Sequence, residues 1–298
     1  MGYVVETSKL TKYYGKSRGI IDVDITIEKG EIFGFIGPNG AGKSTTIRTL
    51  LALIHKTSGQ ARIFGLDCEK DHKRIMEKVG YLPSEVFYYD NMKAADLLRY
   101  SASFYRTDCS GKIKYLSDAL ELDLNKKIED MSLGNKKKVG IIQGLLHSPE
   151  LIILDEPTSG LDPLMQRTFF SLIQEERNNG ATVLFSSHIL SEVQRICDRV
   201  AIIRDGRIIK TQRIYDLQKD AYKKVSFTVA SGVPVCPVLE GIVGFEIHGK
   251  TAGFLFKGNC NFLLTEISRQ DIADIDISDP PLEDVFMHYY TSSEEGSA

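Results

Sequence analysis

The sequence predicts an α/β fold with a parallel or mixed sheet, a helical insertion, and a small α+β domain behind it. Three observations predict it. E-I-F-G-F-I (31–36) is an apolar strand that runs through a glycine-rich loop into a helix. L-I-I-L (151–154), set between Pro149 and Pro157, is a continuously apolar run of the kind buried on both faces of a parallel sheet. After about residue 218 the texture changes to short strand-like runs around one helix.

The elements follow in order. I-I-D-V-D-I-T-I (20–27) alternates, with Ile21, Val23, Ile25 and Ile27 on one face, and predicts a half-buried strand. Glu28-Lys29-Gly30 turns the chain into the strand at 31–36. A helix is expected from about Ser44 to Ile54, then short strands at 59–64 and 79–82. From Met92 to His147 the pattern is helical with charged faces. The strand at 151–154 is followed by a helix at 163–178, a strand at 182–186 and a helix at 189–196. Two strands around Asp205-Gly206 make a hairpin with a D-G turn. The C-terminal part shows strand-like runs at 225–229, 243–247 and 253–257 and a helix at 261–269. In 271–278, Ile272, Ile275 and Ile277 do not alternate strictly. P-P-L-E-D-V-F-M-H-Y-Y reads as an amphipathic helix begun by proline. The expected domains are residues 1–218 with a helical subdomain at about 90–148, an accessory domain at 219–290, and a disordered tail at 291–298.

Bulk composition narrows the classes. With 298 residues, 42 % of them apolar, the chain suits one large domain or two smaller ones. The net charge is −3 and the basic residues are scattered, so no nucleic-acid partner is expected. The five cysteines, Cys68, Cys109, Cys197, Cys236 and Cys260, are odd in number and form no C-x-x-C pair. They read as reduced thiols, packed as small hydrophobes. No secretory leader is seen, and no apolar run reaches the length that spans a bilayer.

The chemistry starts at G-P-N-G-A-G-K-S-T (37–45). Gly37, Pro38, Asn39, Gly40, Ala41 and Gly42 form a strand-to-helix loop that matches G-x-x-x-x-G-K-[ST] with Lys43 and Ser44; Thr45 follows. The glycines let successive N–H groups point at an anion, and the helix dipole adds positive potential. Lys43 would reach the β and γ phosphates, and the Ser44 hydroxyl would serve Mg²⁺. A chance match arises about once in a hundred chains of this length. Here a strand also precedes the motif and a helix follows it, which makes a P-loop NTPase core.

At the end of the buried strand stand two adjacent acids. A magnesium nucleotide needs a carboxylate at such a strand end, and Asp155 fits. Glu156, beside the metal rather than on it, is placed to polarise an attacking water. His188 ends the next strand, where open α/β sheets bind their ligands; it would contact the γ-phosphate or orient Glu156.

Together with S-G-L-D (159–162) and S-S-H (186–188), these motifs resemble those of the ATP-binding cassette ATPases over about residues 3–215. The resemblance implies ATP and Mg²⁺ as ligands. It puts Tyr14 of K-Y-Y-G in the place of the aromatic that stacks on adenine, with Tyr13 as the alternative. The family's signature, usually L-S-G-G-Q, falls on Met131-Ser132-Leu133-Gly134-Asn135, so Ser132 and Gly134 would meet the γ-phosphate of a nucleotide held by a second subunit. Lysines 136–138 would then sit in a turn that gains that charge. Leu133 replaces a glycine and Asn135 a glutamine. The family usually carries a glutamine after the proline of V-G-Y-L-P-S-E (79–85); here Ser84 stands there, followed by Glu85. The tail P-L-E-D-V-F (281–286) is similar to that of ATPases serving small bacterial exporter permeases.

The resemblance therefore implies an ATP hydrolase that drives a separate transmembrane permease and pairs with a second ATPase subunit, identical or a sister. It would lie in the cytoplasm at the inner face of the membrane. The alternative is a soluble cassette ATPase acting on ribosomes or DNA. The ribosomal type usually carries two cassettes per chain, and the DNA type long coiled coils; the interval from Lys43 to Asp155 holds no sustained heptads.

Overall fold

A computed structural model describes residues 2–89, 91–219 and 223–278. The chain divides between Ile214 and Tyr215 into two units, four residues before the boundary expected from composition.

The first unit opens with an antiparallel sheet. Strands β1 (Val5–Tyr14), β2 (Ser17–Val23) and β3 (Thr26–Ile27) come first. The expected single strand at 20–27 is broken because the Thr7 hydroxyl enters the ladder. It donates to the Val23 carbonyl at 2.8 Å and accepts from the Ile25 N–H at 2.8 Å. A register shift against β1 also moves the buried face: Ile20 rather than Ile21 is fully buried, together with Val23, Ile25 and Ile27.

Next come β4 (Ile32–Ile36), α1 (Lys43–Leu50), β5 (Ser58–Ile63), β6 (Leu66–Asp67), α2 (His72–Met76) and β7 (Val79–Leu82). The first helix is shorter than expected. Its last turn closes at Leu51, and Ala52 adopts a left-handed φ of 50°. Helices α3 (Ala94–Ala102), α4 (Ser110–Ala119) and α5 (Leu133–Leu145) form the helical insertion. Then follow β8 (Leu151–Asp155), α6 (Pro163–Asn178), β9 (Thr182–Ser187), α7 (Leu190–Ile196), β10 (Arg199–Arg204) and β11 (Arg207–Arg213).

The central sheet has the order β11-β10-β4-β9-β8-β7, parallel throughout except for the edge strand β11. Every residue of β4, β8 and β9 is buried, as continuously apolar central strands must be. One apolar core joins this sheet, through Phe33, Phe35, Ile153 and Leu184, to α1 and to the antiparallel sheet through Val5, Leu10 and Ile63. β7 lies so close to α5 that a Cβ at Gly80 would stand 1.9 Å from the Gly144 carbonyl oxygen.

The second unit follows through α8 (Ile214–Lys219). It holds β12 (Lys223–Val229), β13 (Ile242–His248), β14 (Thr251–Phe256), α9 (Cys260–Ile267) and β15 (Ile272–Ser278). The strands form an antiparallel sheet ordered β13-β14-β12-β15, with Val225, Phe227 and Phe254 packed against Leu263 and Ile267 of α9. The non-alternating 271–278 stretch is the edge strand, irregular where its pairing with β12 shifts at Val229. Three cysteines are buried as expected, but Cys236 is exposed and Cys260 half-buried. The expected C-terminal helix, P-L-E-D-V-F and the tail at 291–298 lie outside the described residues. Among the described residues no helix is long and apolar enough to cross a membrane.

Candidate functional site

Gly42 caps α1 at φ 111°, a left-handed conformation that glycine adopts without strain, so the chain can turn from β4 into the helix within one short loop. That turn folds the Lys43 side chain back over the loop. Its ammonium donates to the carbonyls of Gly37 (2.7 Å) and Pro38 (3.2 Å), and Glu156 Oε1 stands 3.4 Å away. The loop leans on the β10–β11 hairpin. The Gly206 N–H donates to the Ala41 carbonyl at 2.9 Å, and a Cβ at Gly37 would stand 2.3 Å from the Ile203 carbonyl oxygen.

β8 and β9 deliver the acids. Asp155 is fully buried; its Oδ1 accepts from Ser186 Oγ at 2.8 Å, while Oδ2 has no hydrogen-bond partner among the described residues. A buried carboxylate oxygen left unpaired is costly unless something meets it. Glu156 follows with a left-handed φ of 48°, a strained conformation for a residue with a side chain. It turns away from the strand, and its Oε1 lies 3.4 Å from His188 Nδ1 as well as from Lys43. Among the described residues no three His, Cys, Asp or Glu side chains form a metal cage. The donor set of hydroxyl and carboxylate oxygens instead suits a hard cation that shares its shell with phosphate.

Lys43 and Glu156 open onto one cleft of about 470 Å³, lined also by Tyr14, Asn39, Gly40, Ser44 and Thr45; Asp155 and His188 are not among its lining residues. Tyr14 is 47 % exposed, with its ring beside Gly19 and the Lys12 ammonium 5.3 Å from its centroid. Tyr13 does not line the cleft; its main-chain N–H is bound to the Thr57 hydroxyl. Ser84 and Glu85 both line it. Ser159 of S-G-L-D, given no role from the sequence, lines it too, as does Arg18, which sequence reasoning passed over. Arg18 stands three residues after Gly15 of K-Y-Y-G, and its guanidinium pairs with Asp205 at 2.9 Å.

Ser132 and Gly134 do not line this cleft. Ser132 caps α5, its hydroxyl accepting from the Asn135 N–H at 3.4 Å. A Cβ at Gly134 would meet the Gly160 carbonyl oxygen at 2.9 Å, and Leu133 is 66 % exposed. The expectation for the three lysines needs correction at Lys137. It is buried, and its ammonium donates inward to the carbonyls of Pro83 (3.1 Å) and Ser84 (2.9 Å). Burial lowers its pKa to about 8, opposed by the charges of Asp155 and Glu156.

The sequence profile of the ABC transporter family matches residues 20–159. The bacitracin transport ATP-binding protein BcrA of Bacillus licheniformis is 35 % identical over 96 % of this chain and 97 % of its own length. The protein of the same name from Enterococcus faecalis is 32 % identical, with 96 % of each chain covered. Among solved structures, an ATP-binding subunit of an ABC transporter superposes with a TM-score of 0.69 at 29 % identity, covering 72 % of this chain and 92 % of that one. A bacterial ABC transporter cassette described as dimeric shares the fold, with a TM-score of 0.65 at 23 % identity, covering 70 % of this chain and 98 % of that one.

Proposed function

The chain belongs to the ABC transporter family as an ATP-binding ATPase subunit, and from that premise we propose that it hydrolyses Mg-ATP in this cleft to drive export by a separate permease. The observation that carries the reading is Glu156, which stands in the cleft beside Lys43 and Ser44 at the end of a parallel strand and lies 3.4 Å from both the Lys43 ammonium and His188 Nδ1. Lys43 would exchange the Gly37 and Pro38 carbonyls for phosphate oxygens as its counter-charge. Tyr14, which lines the same cleft, would offer a ring face to adenine.

Ser44 and the unpaired Oδ2 of Asp155 would hold Mg²⁺, and the residues present fit it. When bound, the ion would supply neutralisation of the phosphate charge. Glu156 then takes the proton of an attacking water, and His188 fixes the carboxylate's orientation. This division of labour assigns binding to Asp155 and turnover to Glu156.

Two surfaces support the partners. Ser132, Gly134 and the exposed Leu133 form a patch at the N-terminus of α5, where the γ-phosphate of a second ATPase subunit would dock. Tyr81, Phe87, Tyr89, Tyr100 and Phe104 line an aromatic groove of about 330 Å³ between the sheet and the helical insertion. Phe87 is 86 % and Tyr89 65 % exposed there, which suits a permease segment. Such docking would place the chain on the cytoplasmic face of a membrane. The names of the relatives point to a peptide antibiotic as cargo.

The test is Mg-ATP hydrolysis by the purified chain. Lys43→Ala is expected to reduce it to background, because the cation that balances the phosphates is gone. Unchanged hydrolysis in that variant would show that the cleft is not the site. For the cargo, co-expression with a permease of about six spans from the same genome should raise bacitracin tolerance of a sensitive host. No gain for any such pairing would count against an antibiotic exporter.

A further inference from the structure

Lys137 is 2 % exposed, and the charge it carries into the protein is matched by two main-chain carbonyls, those of Pro83 and Ser84. Burying an ammonium is costly. A methionine would fill the same volume without that cost, so packing alone does not account for the charge.

The two carbonyls belong to the loop after β7, and this loop faces two ways. Ser84 and Glu85 line the nucleotide cleft, while Pro83 and Val86 line the aromatic groove. α5 grips the same loop at two further points. Tyr88 Oη donates to the Lys136 carbonyl at 3.2 Å. Gly140, one turn further along α5, leaves so little room that a Cβ there would stand 2.7 Å from Tyr88 Oη and 3.1 Å from Val86 Cγ1. Lys137 is the charged member of this contact, and it feels Asp155 and Glu156 at the end of β8.

We propose that Lys137 is a positioning residue for ATP hydrolysis: its ammonium ties the signature helix to the 83–85 loop and so fixes where Ser84 and Glu85 stand in the cleft. It also makes the loop answer to the helix start. A displacement of Ser132–Gly134 by an anion would be passed, through one side chain, to a segment shared by the cleft and the groove. The inference rests on the ATPase reading above.

Lys137→Met and Lys137→Gln test it in the full chain. Amide hydrogen exchange over residues 84–89 is read first, because it needs no nucleotide. Lys137→Met is expected to raise exchange there roughly tenfold, with β8 and β9 unchanged. In Mg-ATP hydrolysis, kcat should fall roughly tenfold while the ATP Kd and Tm stay near wild type. Lys137→Gln, which keeps an N–H donor at the helix, should recover part of the loss. Unchanged exchange in Lys137→Met overturns the proposal whatever the activity. So does a parallel loss of Tm, ATP binding and kcat that Lys137→Gln fails to relieve, since that is a packing defect. A wild-type chain without hydrolysis defeats the ATPase reading and leaves the exchange result to decide the loop.

Discussion

Replacing Glu156 with glutamine separates binding from turnover in this cleft. The amide keeps the size and shape of a side chain that is 23 % exposed, but removes the charge that Oε1 presents to Lys43 and His188 at 3.4 Å each. Loss of a general base lowers turnover by about 10²–10⁴, which is about 3–5 kcal/mol of barrier. Binding should move the other way. Glu156 competes with phosphate for Lys43, and a partly exposed pair of this kind contributes up to about 1 kcal/mol. Its removal should therefore leave ATP affinity equal or up to about fivefold tighter. Calorimetry with Mg-ATP gives the first quantity and single-turnover phosphate release the second. The trapped nucleotide should also hold two chains together if the subunit pairs with itself. Size exclusion of Glu156→Gln with Mg-ATP is then expected to show a dimer, and adding Ser132→Arg to return it to monomer. Wild-type turnover in Glu156→Gln would refute the assignment of the base. ATP affinity weakened more than roughly tenfold would place this carboxylate in binding instead.

Tyr14→Ala is expected to weaken ATP binding by about 1 kcal/mol, a lost ring contact, while Tyr13→Ala changes it little; equal losses in a titration would move the assignment. His147 stacks on Tyr105 at 3.8 Å, and burial lowers its pKa to about 4, opposed by a hydrogen bond with the backbone of Val79. The folded state therefore binds fewer protons than the unfolded chain between about pH 6.5 and 4, and stability falls as pH drops through that window. The loss by pH 5 is about 2 kcal/mol, and urea unfolding of His147→Phe should lack it. Gly80→Ala would put a methyl 1.9 Å from the Gly144 carbonyl oxygen and should cost about 3 kcal/mol or more. Gly144→Ala, with nothing nearer than 3.6 Å, should be neutral or stabilising by up to about 1 kcal/mol. Thermal unfolding of the two variants compares them directly.

What sequence gave away depended on how local the cause was. The phosphate loop and the acid pair are contiguous, and their chemistry is written in consecutive residues. α6, at Pro163–Asn178, coincides with its expected span because Asp162 caps it and Pro163 starts it. The break after Val23 was hidden because its agent is the Thr7 hydroxyl, brought from another strand. The shift of burial from Ile21 to Ile20 comes from an irregular register with β1, which periodicity cannot show. The same irregularity lies between Lys12 and Tyr13, so alternation could not decide which tyrosine turns toward the cleft. Lys137 was misplaced for a similar reason. A run of three lysines at a helix start reads as a turn waiting for an anion, and nothing nearby announces that carbonyls of a loop preceding the whole helical insertion will enclose one of them.

The bracing of the phosphate loop by the β10–β11 hairpin bears on how the protein is made. Ala41 and Gly37 emerge from the ribosome early, but the residues they lean on, Ile203 and Gly206, come near the end of the first unit. Contacts so distant along the chain form only after a long loop has closed. The nascent cassette therefore carries its nucleotide motif for most of its synthesis without the support that shapes it. Nucleotide can act as a folding ligand only late, after the hairpin has been released, and a chain stalled before Asp205 should be unable to use ATP to stabilise itself.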